Sequence, residues 1–436
     1  MRSILDFLSH GHVYGGLIIF VGAYPVVTAI VWMVTSLIYR ILRERASSEA
    51  FFDIPDADLP PVSLIIPAFE EASVLDDTLT ALHDLDYPTY DVIVVDDAST
   101  DHTAAIAREH VAADHRFRLL LKRVNEGKAM AMNDAIRIAR GEIILIVDAD
   151  ASLHSDALRY IAAHFVRLPR VAAVTGNPRV VNRTSFLAEL QTLEFTSIVS
   201  ILRRAQVVWG RVLTVSGVIS AFRRSALENI GLFDPSMATE DIDASWRLQQ
   251  KFYDIRYEPR ALVDMRVPVG IRALWHQRRR WATGLVQVLQ RHGALLFRWR
   301  NRRQWPVVVE ALVSIVWAHC FLVVLTIWLA ALIVGAQPVA FSPFPNEWGM
   351  LIASLAILQL TTGVLVDYRY ERSIVRALLV APLYPLGYWL LMSIVTVRTT
   401  IPALLTKRRA PNVKWTTIRE VTPSERVVAE ELQRSA

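Results

Sequence analysis

Residues 142–150 read Glu-Ile-Ile-Leu-Ile-Val-Asp-Ala-Asp. The apolar, β-branched run fits a buried parallel strand. It stops at two carboxylates, Asp148 and Asp150, with one alanine between them. On an extended chain positions i and i+2 point to one side. Two carboxylates on one side repel unless a cation lies beside them. Mg2+ or Mn2+ suits such a pair, because hard ions take one or two carboxylates and complete the shell with phosphate and water oxygens. Taken alone, the tripeptide fits a solvated strand-end turn equally well. Three other residues sharpen the reading. Asp97 closes an earlier apolar run and can accept hydrogen bonds from a base or ribose. Lys128 follows Gly127 and can reach phosphate oxygens as a point charge. Asp241 lies in Thr239-Glu240-Asp241-Ile242-Asp243. Each has an ordinary alternative as a helix cap, a solvated lysine or a helix-dipole carboxylate. The set in order favours chemistry.

The elements that position these residues follow from the pattern. Val62 to Pro67 reads as a strand, and Glu70-Glu71 opens a helix to about Asp86. Asp91 to Val95 is a second strand, followed by a helix to about Val111. Arg118 to Lys122 is a third, with a helix over 129–139 before the strand at 142. This alternation predicts an α/β domain with a mostly parallel sheet. Ligands of open α/β sheets bind outside the carboxyl ends of the strands. There is no Gly-x-Gly-x-x-Gly after the first strand and no Gly-x-x-x-x-Gly-Lys-Ser/Thr, which disfavours dinucleotide enzymes and P-loop ATPases. A nucleoside diphosphate held through a metal remains.

The chain has 436 residues, 53% of them hydrophobic and 20% charged, with a mean hydropathy of +0.32. That combination fits a soluble domain joined to membrane spans. Cys320 is the one cysteine, which excludes disulfides and cysteine metal sites within the chain. The net charge of +5 comes from arginines beside apolar segments, and no nucleic-acid motif is present. The expected domains are a span-bearing segment 1–45, a linker 46–60, the α/β domain 61–265, interface helices 266–305, apolar spans within 306–405, and a tail 406–436. Arg40, Arg43 and Arg45 after the first span predict a cytoplasmic catalytic domain. The Lys/Arg-free loop 336–348 should lie outside. The last run, 375–405, is broken by Pro382, Pro385 and Pro402 and followed by Lys407, Arg408 and Arg409. A third crossing there would put those charges outside, so a re-entrant or interfacial path is the alternative. Residues 183–206 have helical apolar spacing and fit either an interface helix or one packed on the core. The Gln277-Arg278-Arg279-Arg280-Trp281 stretch offers an indole and arginines for sugar, phosphate or lipid headgroups.

The order of motifs resembles the processive family-2 glycosyltransferases, whose catalytic domain has the GT-A fold. It is most similar to the bacterial poly-β-1,6-N-acetylglucosamine synthases. The stretches that carry the resemblance are Val174–Arg179, Val215–Leu227, Thr239–Asp243, Tyr257–Leu262 and Gln277–Trp281. The resemblance implies a GT-A domain flanked by transmembrane and amphipathic interface helices. It implies an inverting transfer of N-acetylglucosamine from UDP-N-acetylglucosamine to a growing polysaccharide, with Asp241 as catalytic base. Pro67, Glu71, Asp97, Lys128, Asp148, Gln277, Arg280 and Trp281 would contact the UDP-sugar. Asp150 with Asp148 would hold Mg2+ or Mn2+, and Ser216, Gly217, Glu240 and Trp281 would meet the acceptor. It also implies a bacterial inner-membrane location, membrane lipid contacts, a small membrane accessory subunit and export machinery. Two positions depart from the family pattern: Glu70 stands where Asn is usual, and Ala98 where Gly is usual. The alternatives are a chitin- or hyaluronan-type synthase, a non-processive lipid glycosyltransferase, or an inactive channel or scaffold.

Overall fold

The computed structural model describes residues 12–44, 49–335, 347–406 and 413–414. Arg45, the loop 336–346, Lys407, Arg408, Arg409 and the tail from 415 lie outside the described residues.

The first strands form where β-branched runs allow burial on both faces. They are β1 (Val62–Ala68), β2 (Tyr90–Asp96), β3 (Phe117–Leu121) and β4 (Ile143–Val147). Leu64, Ile66, Val92, Val94, Ile143 and Leu145 pack on one face. Ile65, Ile93, Val95, Ile144 and Ile146 pack on the other, as the two-residue period requires. The remaining strands are β5 (Ala151–Leu153), β6 (Val171–Val180), β7 (Ile219–Arg223) and β8 (Asp254–Met265). All eight join one sheet in the order β3-β2-β1-β4-β7-β6-β8-β5. Neighbours are parallel through β3-β2-β1-β4, and β7 runs antiparallel between β4 and β6. Pro67 lies on β1 beyond the β4 pairing, which ends at Ile65↔Ile146, so no ladder bond to β4 is lost there.

In chain order the α-helices of eight residues or more are α1 (His12–Tyr39), α2 (Leu75–His83), α3 (Thr103–Ala113), α4 (Lys128–Ile138), α5 (Ala157–Arg167), α6 (Phe186–Leu193) and α7 (Ser200–Trp209). They continue with α8 (Glu240–Gln250), α9 (Ile271–His292), α10 (Trp305–Ile333), α11 (Glu347–Asp367) and α12 (Trp389–Leu405). The helix expected from Glu70 starts five residues later. Glu70 takes a left-handed φ of 55°, and Leu75 N–H then reaches Glu71 O at 3.0 Å.

Among the described residues, three helices are long and apolar enough to cross a membrane: Tyr14–Glu44, Trp299–Ile333 and Gly349–Asp367. The proline-broken last run is not among them, its apolar α-helix, Trp389–Leu405, being shorter. It leaves the domain face at Arg372–Val380 as a 3₁₀ turn and reaches Trp389, whose ring lies 5.8 Å from that of Trp317 on α10. It then returns, so that Gln290 of α9 donates to Leu404 O at 3.2 Å. Residues 183–206 are a layer between domain and spans. Leu190 and Leu193 pack against Leu360 and Val364 of α11, while Val207 enters the domain core. Glu194–Val199 is π-helical. A Cβ on Gly363 would lie 2.4 Å from Ser197 Cα there, so only glycine permits that approach.

Candidate active site

The carboxyl ends of β1, β2 and β4 meet on one edge, and the polar residues gather there. At the end of β2, Asp97 is fully buried. Its carboxylate accepts from the backbone N–H groups of Glu126 (3.1 Å) and Gly127 (2.7 Å). Asp97 thus fixes the loop that launches α4, and Gly127 takes the required positive φ of 90°. Glu70 accepts from Thr100 N and Oγ1, both at 2.9 Å, and Glu71 N–H donates to Thr103 Oγ1 at 2.8 Å. Both departures from the family pattern sit at left-handed backbone: Glu70 at 55° and Ala98 at 66°. Asn and Gly are the residues that adopt this conformation most readily.

Strand β4 ends at Val147, before the two aspartates. Asp148 and Asp150 therefore do not share the side of an extended strand. Ala151 N–H reaches Asp148 O at 3.1 Å, making a turn that carries both carboxylates at the sheet edge. Lys128, the first residue of α4, reaches across to pair with Asp148. It also donates to Gly217 O at 3.4 Å. Burial works against the lysine charge, but Asp148 and Glu240 outweigh it and hold the ammonium above its ordinary value.

Gly217 connects this pair to α8. A Cβ on Gly217 would stand 3.5 Å from Asp241 Oδ2 and 3.8 Å from Lys128 Nζ. Ser216, beside it, is held by its N–H to Thr175 Oγ1 at 2.8 Å. Asp241 occupies the first turn of α8, behind buried Glu240. Burial, then the Glu240 charge, push the Asp241 carboxyl up to about 6, against the pull of Lys128, the Ile242 N–H and Arg280. A carboxylate poised near neutrality suits proton abstraction. Asp243 does something else: fully buried, it accepts from His292 at 2.8 Å and Arg247 at 2.6 Å, tying α8 to α9.

Helix α9 closes the site from the side of the spans. Gln277, Arg280, Trp281, Gly284 and Gln287 fall at i, i+3, i+4, i+7 and i+10, one stripe of a helix. Arg280 donates to Ala238 O at 3.3 Å, and Gln287 accepts from Ala238 N–H at 2.9 Å. A Cβ on Gly284 would lie 2.1 Å from Thr239 Oγ1, so glycine lets α9 lie on the Thr-Glu-Asp turn. Gln277 Oε1 is buried without a partner among the described residues. Arg278 is turned away from the site. It forms a bidentate pair with Glu194 at 3.0 and 2.5 Å and stacks 4.2 Å from the Trp281 ring centroid. Glu194 and Gly284 carry no motif that marks them for the site, whereas Thr239 opens the Thr-Glu-Asp stretch. Arg203 lies buried on α7, where it feels the Asp241 charge. The stretch 183–206 also holds Glu189 and Arg204, so charge alone does not separate Glu194 and Arg203 from their neighbours.

Residues 60–284 match the family described as glycosyltransferase like family 2. The chain belongs to that family and is a sugar-transferring enzyme. It is 32% identical over 90% of its length to a poly-β-1,6-N-acetyl-D-glucosamine synthase of Staphylococcus epidermidis, covering 95% of that protein. It is 31% identical to the synthase of the same name from Staphylococcus aureus strain COL, again covering 90% of this chain and 95% of that one. Among solved structures it resembles a mannosyltransferase from Pyrobaculum calidifontis, in complex with GDP-Man and Mn2+, at a TM-score of 0.60 and 23% identity. The likeness covers 89% of this chain and all of that one, and shares the GT-A fold.

Proposed function

We propose that this protein polymerises N-acetylglucosamine from UDP-N-acetylglucosamine into poly-β-1,6-N-acetylglucosamine. The likeness to the staphylococcal synthases over nearly their full length supports the product. The observation that carries the chemistry is that Asp241 and Lys128, the partner of Asp148, face the same position beside Gly217, 3.5 and 3.8 Å from where its Cβ would stand. The acceptor 6-hydroxyl gives its proton to Asp241 as its oxygen bonds to C1 of the donor sugar. The bond from C1 to the diphosphate oxygen breaks, the anomeric configuration inverts, and UDP leaves. Lys128 and Arg280 offer positive charge to the departing diphosphate. Ser216, Gly217, Glu240 and Trp281 would frame the acceptor, while Pro67, Glu71, Asp97 and Gln277 would shape the donor pocket.

Asp148 and Asp150 fit Mg2+ or Mn2+. Both offer hard oxygen donors, and Asp148 already attracts a cation, the Lys128 ammonium. No group of three or more His, Cys, Asp or Glu forms a metal site among the described residues, so diphosphate oxygens would complete the shell. Such an ion supplies charge neutralisation to the leaving group.

We further place the enzyme in a bacterial inner membrane with its catalytic domain in the cytoplasm, and couple synthesis to export. A cavity of about 170 Å³ between α1, α10, α11 and the re-entrant segment supports that coupling. Tyr24, Trp32, Trp317, Tyr384 and Trp389 line it, with Gln359 among them, and aromatic faces with sparse polar groups suit sugar rings. A small accessory subunit would complete the assembly. The test gives membranes bearing the protein UDP-N-acetylglucosamine with Mg2+ or Mn2+. A long product cut by a β-1,6-specific hexosaminidase and resistant to chitinase is expected. A product cut by chitinase alone would refute the linkage, and UDP release without polymer would refute processive synthesis.

A further inference from the structure

The turn that carries Asp148 and Asp150 is held from three sides. Asp148 N–H donates to Val218 O at 3.3 Å, and Ala151 N–H donates to Asp148 O at 3.1 Å. The third tie comes from a side chain with no part in the transfer. Thr78 lies on α2 and is only 2% exposed. Its Oγ1 donates to Ala149 O, between the two aspartates, at 2.8 Å. A helical threonine ordinarily turns its hydroxyl back on the carbonyl four residues before it. Here that oxygen, Val74 O, is 3.5 Å away, so the shorter bond leaves the helix. Among the described residues no backbone N–H reaches Ala149 O. Leu75, Leu79 and Leu82 on the buried face of α2 share one core with Ala149, Ala151 and Leu153, which seats the helix against the turn.

The carbonyl of Ala149 belongs to the planar peptide that enters Asp150. Fixing its oxygen fixes that plane, and with it the direction in which the Asp150 side chain leaves the backbone. We infer that Thr78 is a positioning residue for the metal: its hydroxyl sets the Ala149–Asp150 peptide so that the Asp150 carboxylate is directed to the cation it shares with Asp148. The inference rests on the reading of Asp148 and Asp150 as metal ligands. Groups that orient a metal ligand govern its affinity, and their loss commonly weakens binding about tenfold or more. Threonine carries a methyl and a hydroxyl on one carbon, so packing and hydrogen bonding separate by substitution. Valine keeps the shape, and serine keeps the hydroxyl.

The full-length protein with UDP would be titrated with Mn2+, and the free ion followed by its electron paramagnetic resonance signal. UDP release from UDP-N-acetylglucosamine would be measured over the same Mn2+ range. Thr78→Val should weaken Mn2+ binding about tenfold and raise the Mn2+ concentration for half-maximal rate by the same factor, while the rate at saturating Mn2+ stays within about twofold of wild type. Thr78→Ser, which restores the hydroxyl, should bring Mn2+ binding back to within about twofold. Thr80→Val, at an exposed position on the same helix, should change neither readout. Wild-type Mn2+ binding by Thr78→Val would overturn the inference. So would a rate lowered equally at every Mn2+ concentration, or a Thr78→Ser variant as weak as Thr78→Val, since either would mean that the residue only packs. Asp150→Asn in the same titration judges the underlying reading. If it weakens Mn2+ binding and Thr78→Val does not, only the role of Thr78 falls; if neither does, the metal-ligand reading falls with it.

Discussion

Replacing Asp241 by asparagine should abolish elongation while making the folded protein more stable. Burial and Glu240 raise the Asp241 carboxyl from 3.8 to about 6. The folded state thus holds this proton more tightly than the unfolded chain. Its contribution to stability turns unfavourable as pH rises from about 4 through about 6, and the full cost is present above that. Two pH units correspond to at most about 3 kcal/mol. The neutral amide escapes that cost, so a rise of about 1–3 kcal/mol in unfolding free energy is expected at pH 7. Activity should fall about 10²–10⁴-fold with loss of the base. In the wild type, the ionised fraction is about nine-tenths at pH 7 and about one-tenth at pH 5. The UDP-release rate at saturating donor should therefore show an acid limb of unit slope near pH 6, where an ordinary aspartate would show none. Thermal melts at pH 5 and pH 7, with the pH–rate profile, check both halves. An inactive variant that is also less stable at pH 7, or a rate independent of pH between 5 and 7, would refute the assignment of Asp241 as a base raised to about 6.

Gly284→Ala should slow transfer about tenfold or more with little change in donor affinity, because the new Cβ would fall 2.1 Å from Thr239 Oγ1 and displace the turn bearing Asp241; steady-state kinetics separating kcat from KM would show it. Ala98→Gly should raise the unfolding free energy by about 0.5–1 kcal/mol, since Ala98 holds a φ of 66°; a denaturant titration with unchanged slope is the check. Glu194→Gln should cost about 3–5 kcal/mol by leaving Arg278 buried and half-paired, read as a lowered unfolding midpoint. Asp150→Asn should raise the concentration of Mg2+ or Mn2+ needed for half-maximal rate, and chelation should stop wild-type turnover reversibly, both followed by UDP release.

The parallel half of the sheet was legible because its strands are buried on both faces and read as unbroken β-branched runs. The antiparallel insertion of β7 was not. Ile219–Arg223 is a short run like any other, and only the tertiary pairing with β4 and β6 gives it direction. The extended reading through Asp150 overran the strand, which ends three residues earlier at Val147, because the pattern that signals burial says nothing about where a backbone turns. The carboxylates were nevertheless found, since acidic residues cluster at the ligand edge whatever the turn. Glu70 illustrates the opposite case. Its glutamate is a good helix former, yet the loop imposes a left-handed φ there that no propensity scale anticipates. Gly284 was illegible for a different reason. A glycine inside a helix announces a close approach only once the neighbour is known, and Thr239 lies 45 residues earlier in the chain.

Helix α9 shows how one element can serve the catalytic edge and the spans together. Its stripe of Gln277, Arg280, Trp281, Gly284 and Gln287 faces the turn from Ala238 to Asp241. Arg278, one residue off that stripe, carries its guanidinium to Glu194. Glu194 in turn accepts from Tyr388 of the re-entrant segment at 2.7 Å. Trp281 touches both sides, through the Arg278 stack and an edge contact with Phe195 at 6.5 Å. A shift of α9 that moved Arg280 would therefore also load the Glu194–Arg278 pair and, through Glu194, Tyr388. Buried ion pairs resist partial displacement, because a half-made pair leaves a charge in low dielectric. The Glu194–Arg278 pair thus holds α9 firmly against the segments that pack on it.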